Sequence, residues 1–204
     1  MKPLIKLTNI CAGYGADTVL TNISLTVEEH DFVGIIGPNG GGKTTLVKVL
    51  LGQIKPQQGS VEYNGKIKIG YLPQYSEIDH KFPISVHEVI LSGLYCSSKF
   101  PCRFSKEQHQ RVAQVVQQLG LEGLEKRQIG ELSGGQLQRV LLGRAIVANP
   151  QVIILDEPST YLDRTSQETL YQELERLNQQ SAIILVSHDV EVVKQKAKNI
   201  IEIV

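Results

Sequence analysis

The stretch Gly37-Pro38-Asn39-Gly40-Gly41-Gly42-Lys43-Thr44-Thr45 constrains this chain more than any other. It carries the spacing G-x-x-x-x-G-K-[ST] of a phosphate-binding loop. The apolar run 32–36 ahead of it reads as a short buried strand. The residues Leu46 to Leu51 after it read as the first turns of a helix, with Gly52 at its C-terminal end. Glycines let the backbone turn tightly and approach a ligand without a Cβ in the way. Successive N–H groups and the positive end of the helix then favour an anion at the same spot. Lys43 supplies a mobile full charge for β- and γ-phosphates, and Thr44 offers a hydroxyl to Mg²⁺.

A chain of 204 residues suits a single α/β domain, with room for a subdomain. At this size roughly 70% of the unfolded surface is buried, so no covalent staple is required. The 21 basic residues balance 21 acidic ones, which gives no electrostatic grip on nucleic acid. Cys11, Cys96 and Cys102 are odd in number and lack C-x-x-C spacing, so neither a disulfide framework nor a structural zinc site is expected. No apolar run approaches the ~20 residues that span a bilayer. Residues 1–6 lack the apolar core of a signal peptide. A cytoplasmic protein is expected, with any membrane role arising through a partner.

Ahead of the loop, residues 4–7 and 23–27 alternate like strands. Between them Tyr14 sits in a Gly-Tyr-Gly turn, where its ring can stack on a flat base with Val19 packed nearby. After the loop, Val61-Glu62-Tyr63, Asn64-Gly65 and Lys66-Ile67-Lys68-Ile69 read as a hairpin across a two-residue turn. Pro73 ends the next strand and Gln74 begins a loop. Residues 75 to about 130 change to helical spacing, with Ser85 and Ser105 as caps. Residues 97–104 between these helices read as a connecting loop. His80, His87 and His109 fall in this block without metal-ligand spacing and read as surface or interface positions.

The second half repeats the anion chemistry. Leu132-Ser133-Gly134-Gly135-Gln136 precedes a helical run, with Ser133 as its cap and glycines exposing N–H groups at its positive end. Two such helix ends in one chain suggest a site completed by a second copy. Residues 152–155 form an apolar strand of the buried parallel kind, ending in Asp156 and Glu157. Asp156 is placed to hold Mg²⁺, and Glu157, on the other side of the strand period, to polarise a water. A further apolar strand, 182–186, ends at His188, which can reach a γ-phosphate from the ligand-binding edge of a parallel sheet.

Assembled, these residues resemble the nucleotide-binding subunit of ATP-binding cassette (ABC) transporters over almost the whole chain. Residues 37–45 look like the Walker A loop, Gln74 the Q-loop, residues 132–136 the family signature, and 152–156 Walker B with Glu157 as the catalytic carboxylate. Tyr161-Leu162-Asp163 falls at the D-loop and His188 at the switch histidine. The resemblance implies a P-loop NTPase fold with a mixed sheet. Residues 1–74 and 148–204 would form a RecA-like core with an antiparallel β edge, and 75–147 an inserted helical subdomain.

It also implies ATP and Mg²⁺ as cofactors. Glu157, His188, Gln74 and Lys43 would act in catalysis, and Thr44, Gln74 and Asp156 on the metal. Two copies would sandwich ATP between the Walker A loop of one and Leu132 to Gln136 of the other. The homodimer would sit peripherally on the cytoplasmic side of the membrane, on an integral permease served by an extracytoplasmic binding protein.

Position 41 is Gly where Ser or Cys is frequent in the family, and Tyr161 is large for a D-loop. Gln74, then Asp79 and the run from Phe82 to Gly93, look most like the zinc and manganese importer ATPases. Iron-chelate and cobalamin importers, exporters and non-transport ABC proteins are the alternatives. The chain stops soon after 199–204, so no C-terminal regulatory domain is expected.

Overall fold

The computed structural model describes residues 3–94 and 104–203. The connecting loop expected over 97–104, with Cys96 and Cys102, lies outside the described residues except for Phe104. Three strands, β1 (Ile5–Tyr14), β2 (Asp17–Val27) and β4 (Gln58–Tyr63), make an antiparallel sheet in the order β2-β1-β4. Five others make a parallel sheet in the order β5-β6-β7-β3-β8. These are β3 (Phe32–Ile36), β5 (Ile69–Leu72), β6 (Val152–Asp156), β7 (Ala182–Val186) and β8 (Asn199–Glu202). The two pairing modes thus occupy separate sheets.

Every residue of β3, β6 and β7 is buried. Their unbroken apolar composition has a direct cause, because both faces of a parallel sheet are covered. Ile153, Leu155, Ile183 and Leu185 point into one core, which the helices α2 (Val86–Ser92), α3 (Lys106–Gln118), α4 (Gly134–Ile146) and α5 (Arg164–Asn178) help to build. Val152, Ile154, Ile184 and Val186 point into a second core, shared with the antiparallel sheet and α1 (Lys43–Leu50). The last helix, α6 (Val190–Lys196), packs on β3 through Val193, which approaches Gly34.

One expectation fails. Residues 61–63 and 66–69 do not form a hairpin, because β4 pairs with β1 while β5 pairs with β6 in the other sheet. Gly65 adopts φ 69, as the turn requires, and Asn64 donates its N–H to Leu4 O at 2.9 Å. The turn carries the chain from one sheet to the other. Local turn chemistry fixes the bend, but burial of Ile69 and Leu72 beside β6 decides the partner strand.

Helix starts follow their caps. Ser85, Ser105 and Ser133 each form a capping box, with Glu88, Gln108 and Gln136 answering them. Asp163 and Asp189 cap α5 and α6. Helix α1 differs, since it begins at Gly42 with φ 105 and no side-chain cap. Of α1 to α6 it is the one whose first N–H groups receive nothing from a capping side chain, and these are the groups a bound anion satisfies.

Candidate functional site

The parallel sheet delivers the candidate residues to one edge. Strand β3 runs into Gly37, β5 ends just ahead of Gln74, β6 ends at Asp156 and β7 leads to Ser187 and His188. All four are C-terminal strand ends, where open α/β sheets place their ligands.

A cleft of about 470 Å³ opens there. Asn39, Gly40, Gly42, Lys43, Thr44 and Thr45 form its floor, with Tyr14 and Val19 on one side and Gln74 and Glu157 on the other. Lys43 is buried and folds back, donating to Gly37 O at 2.9 Å and Pro38 O at 3.0 Å. The loop closes on itself as well, through Gly41 N–H to Pro38 O at 3.1 Å. Thr45 is buried under the loop.

Asp156 is fully buried and holds two side-chain bonds at once. Thr44 Oγ1 donates to its Oδ2 at 3.3 Å, and Gln74 Nε2 donates to its Oδ1 at 3.4 Å. Burial pushes its carboxyl above the ordinary range. The Gln74 bond works against that shift and the Glu157 charge adds to it. Thr44 and Gln74, expected from sequence as one set with Asp156, both bond to it.

Glu157 Oε1 lies 3.9 Å from Lys43 Nζ, and Oε2 lies 3.6 Å from His188 Nδ1. Its backbone takes φ 49, a left-handed conformation unusual for glutamate, and its N–H bonds Val186 O at 2.9 Å. That turn of the backbone, rather than strand alternation alone, aims the carboxylate into the cleft while Asp156 stays beneath it. Thr160, which the sequence did not single out, donates Oγ1 to Glu157 Oε2 at 3.4 Å. The i,i+3 spacing in Glu157-Pro158-Ser159-Thr160 is the signal that would have found it.

Tyr14 is half exposed. Lys48 donates to its hydroxyl at 3.3 Å and its ammonium stands 5.6 Å from the ring centroid. Hydrogen bonds involving Thr45 and then Lys48 lower the phenol's pKa. Lys48 was also missed, although it lies one helical turn beyond Thr44 and Thr45 on α1.

The remaining candidates lie elsewhere in the chain. Ser133, Gly135, Gln136 and Leu162 line a separate cavity of about 340 Å³ against α5 that shares no lining residue with the first. Leu132 packs on the helical core. A Cβ on Gly134 would meet Tyr161 O at 3.7 Å, so residues 161–163 abut the start of α4. Asp163 is engaged in capping α5. Tyr161 is 74% exposed with φ 70, and its ring meets Tyr75 at 5.5 Å. The molecule thus divides the sequence candidates into two clusters, one around the phosphate loop and one at the head of α4.

Comparisons with known proteins place the chain among ATP-binding cassettes. The family model described as "ABC transporter" matches residues 20–160. A probable metal transport system ATP-binding protein of Thermotoga maritima is 38% identical over 97% of this chain and 80% of its own. The high-affinity zinc uptake system ATP-binding protein ZnuC of Bacillus subtilis is 37% identical over 98% of this chain and 90% of its own. Among solved structures, an inward-facing conformation assigned to a metal-chelate type ABC transporter superposes with a TM-score of 0.90 at 29% identity, covering 99% of this chain and 79% of that one. The dimeric bacterial cassette MJ0796 does so at 0.82 and 28% identity, covering 98% and 94%. No described helix is long and apolar enough to cross a membrane. With its phosphate loop and strand-end carboxylates set on this two-sheet scaffold, the chain belongs to the ABC transporter family.

Proposed function

We propose that this chain is the ATP-binding and ATP-hydrolysing subunit that energises a metal-ion importer, with zinc or manganese as cargo. The observation that carries the catalytic part is the convergence of Lys43, Thr44, Asp156, Glu157 and His188 at one sheet edge. The cargo rests on the relatives named for zinc and metal transport, which match nearly the whole chain.

In this reading Tyr14 stacks on the adenine with Val19 beside it, and residues 37–45 wrap the phosphates. Lys43 exchanges the carbonyls of Gly37 and Pro38 for β- and γ-phosphate oxygens. Thr44, Gln74 and Asp156 present oxygens of the hard type that Mg²⁺ prefers, and Asp156, whose burial disfavours its charged form, is a carboxylate that a cation would stabilise. Mg²⁺ bound there neutralises charge on the phosphates. Glu157 orients and polarises the attacking water, while His188 contacts the γ-phosphate and holds the Glu157 carboxylate. The proton leaving water passes to Glu157, and phosphate departs with ADP as the other product.

A second copy supplies Leu132 to Gln136 to the same ATP. The separation of the two clusters within one chain supports that reading. Residues 161–163 then meet their counterparts across the dimer. The helical region, 75–147, and Gln74 link nucleotide state to an integral permease, with the cassette on the cytoplasmic face and a binding protein on the other side. An iron-chelate or cobalamin cargo is the second reading, favoured by the likeness to the metal-chelate type transporter.

The test is uptake of zinc, manganese and iron chelate by cells lacking this chain, restored with wild type or with Glu157→Gln. Loss of zinc or manganese uptake, recovered by wild type alone, supports the proposal. A response confined to the chelate shifts the cargo to the second reading. No response of any cargo overturns the importer.

A further inference from the structure

We propose that His87 on α2 and His109 on α3 form a binding site for a divalent transition-metal ion of the zinc type, separate from the phosphate-loop cleft. The residues are 22 positions apart in sequence, yet His87 Nε2 and His109 Nδ1 face each other at 3.0 Å. Their ring planes differ by 6° with centroids 5.2 Å apart. The two ring nitrogens therefore face each other across one shared hydrogen bond. With Zn–N bonds of about 2.0–2.1 Å and a tetrahedral angle, the two nitrogens of a zinc site stand about 3.3 Å apart. Opening by a few tenths of an ångström, with each ring turned so that both lone pairs meet at the ion, converts the pair into a chelate. Each ring then carries its proton on the nitrogen facing away.

The two helices hold the rings in place independently of any metal. Ser85 and Ser105 cap α2 and α3, each through a capping box. Val86, Ile90, Val112 and Val115 are buried and fix both helices in one core. The N–H of His87 bonds Glu125 O at 3.0 Å, and Phe104 lies edge-on to His109 at 6.3 Å. Such preorganisation limits the ordering cost of binding.

The carboxylates of Glu88 and Glu107 are engaged by the capping serines Ser85 and Ser105. His80 turns instead to the Tyr75 ring at 4.5 Å. Among the described residues no group of three or more metal ligands occurs. Among the described residues the site is thus a two-imidazole site. Imidazole nitrogens favour zinc, copper and nickel over Mg²⁺, so this donor set and the oxygens around Asp156 select different ions. A bound ion would replace a shared hydrogen bond by two coordinate bonds and tie α2 to α3. The inference does not depend on which cargo the transporter carries.

The test is calorimetric titration of the full chain with zinc chloride, in a Cys11→Ser, Cys96→Ser, Cys102→Ser background so that thiols contribute nothing. One equivalent should bind, and His87→Ala or His109→Ala should weaken it by at least about ten-fold. His80→Ala should leave it unchanged. Binding that is absent, or that survives both histidine changes, overturns the proposal. A second readout needs no histidine variant. In ¹⁵N-labelled protein, zinc should shift the signals of His87 Nε2 and His109 Nδ1, and unmoved signals would likewise reject the site.

Discussion

The ammonium of Lys43 stands 3.9 Å from Oε1 of Glu157 while it donates to the carbonyls of Gly37 and Pro38. One buried cation thus touches both the phosphate loop and the end of β6. In the proposed mechanism this is where phosphate charge and an activated water meet. Lys43→Ala removes a charged donor from the cleft without disturbing either apolar core. Hydrogen bonds to charged groups contribute about 1.5–3 kcal/mol. ATP affinity should therefore fall on the order of ten- to a hundred-fold, read by nucleotide titration, with the melting temperature little changed. Unaltered affinity would remove Lys43 from the phosphate site.

Asp156 links stability to pH in the direction opposite to most native carboxylates. Its burial favours the protonated form, so the folded chain holds this proton at pH values where the unfolded chain, near 3.8, has lost it. Between those two values the folded state binds more protons. Stability therefore falls as pH rises through the window and stays lower above it. Asp156→Asn keeps both neighbours satisfied, since the amide can accept from Gln74 and donate to Thr44. Without nucleotide or Mg²⁺, this variant should melt above wild type at pH 7 and lose that advantage on acidification. A lower melting point at pH 7 would show that burial does not dominate at this carboxylate.

Ser85 and Ser133 make the same capping box on different helices. Replacing either by Ala should cost about 1 kcal/mol of stability. Only Ser133 heads the cluster assigned to the second copy's ATP. Ser133→Ala should therefore lower ATP turnover at a stability loss that Ser85→Ala matches without losing turnover. Equal loss of turnover in both variants would reduce Ser133 to a cap.

Gly42 and Gly41 are adjacent in the loop but differ in tolerance. Gly42 holds φ 105, and a Cβ there would lie 2.8 Å from Leu20 Cδ2 and 2.9 Å from Val19 Cγ1. Gly42→Ala should cost about 1–3 kcal/mol in strain and displace Val19 from the cleft wall. At Gly41, whose φ is not left-handed, the nearest contact for a Cβ is Pro38 O at 3.1 Å. Gly41→Ser should then be accommodated by a small shift of Pro38. Thermal melts of both variants, followed by ATP titration, test the contrast, and equal melting temperatures would contradict it.

The buried strands were legible because an all-apolar run has one favourable place in an α/β layer, between two cores. The caps were legible because Ser at the N-cap with Glu or Gln three residues later is a local rule. What escaped depends on contacts distant in sequence. The Asn64-Gly65 turn announced a hairpin, yet pairing with β6 took β5 away from β4. The left-handed backbone of Glu157 leaves no mark in a Leu-Asp-Glu-Pro string. His87 and His109 showed no ligand spacing because their meeting is made by two helices packing together.

The central claim is that Glu157 activates water for ATP hydrolysis at this sheet edge. Phosphate release from Mg-ATP, wild type against Glu157→Gln, with ATP affinity measured on both proteins, tests it most directly. ATP affinity should be equal in the two proteins and the rate lower by about 10²- to 10⁴-fold in the variant. A variant that binds ATP and releases phosphate at the wild-type rate would contradict it.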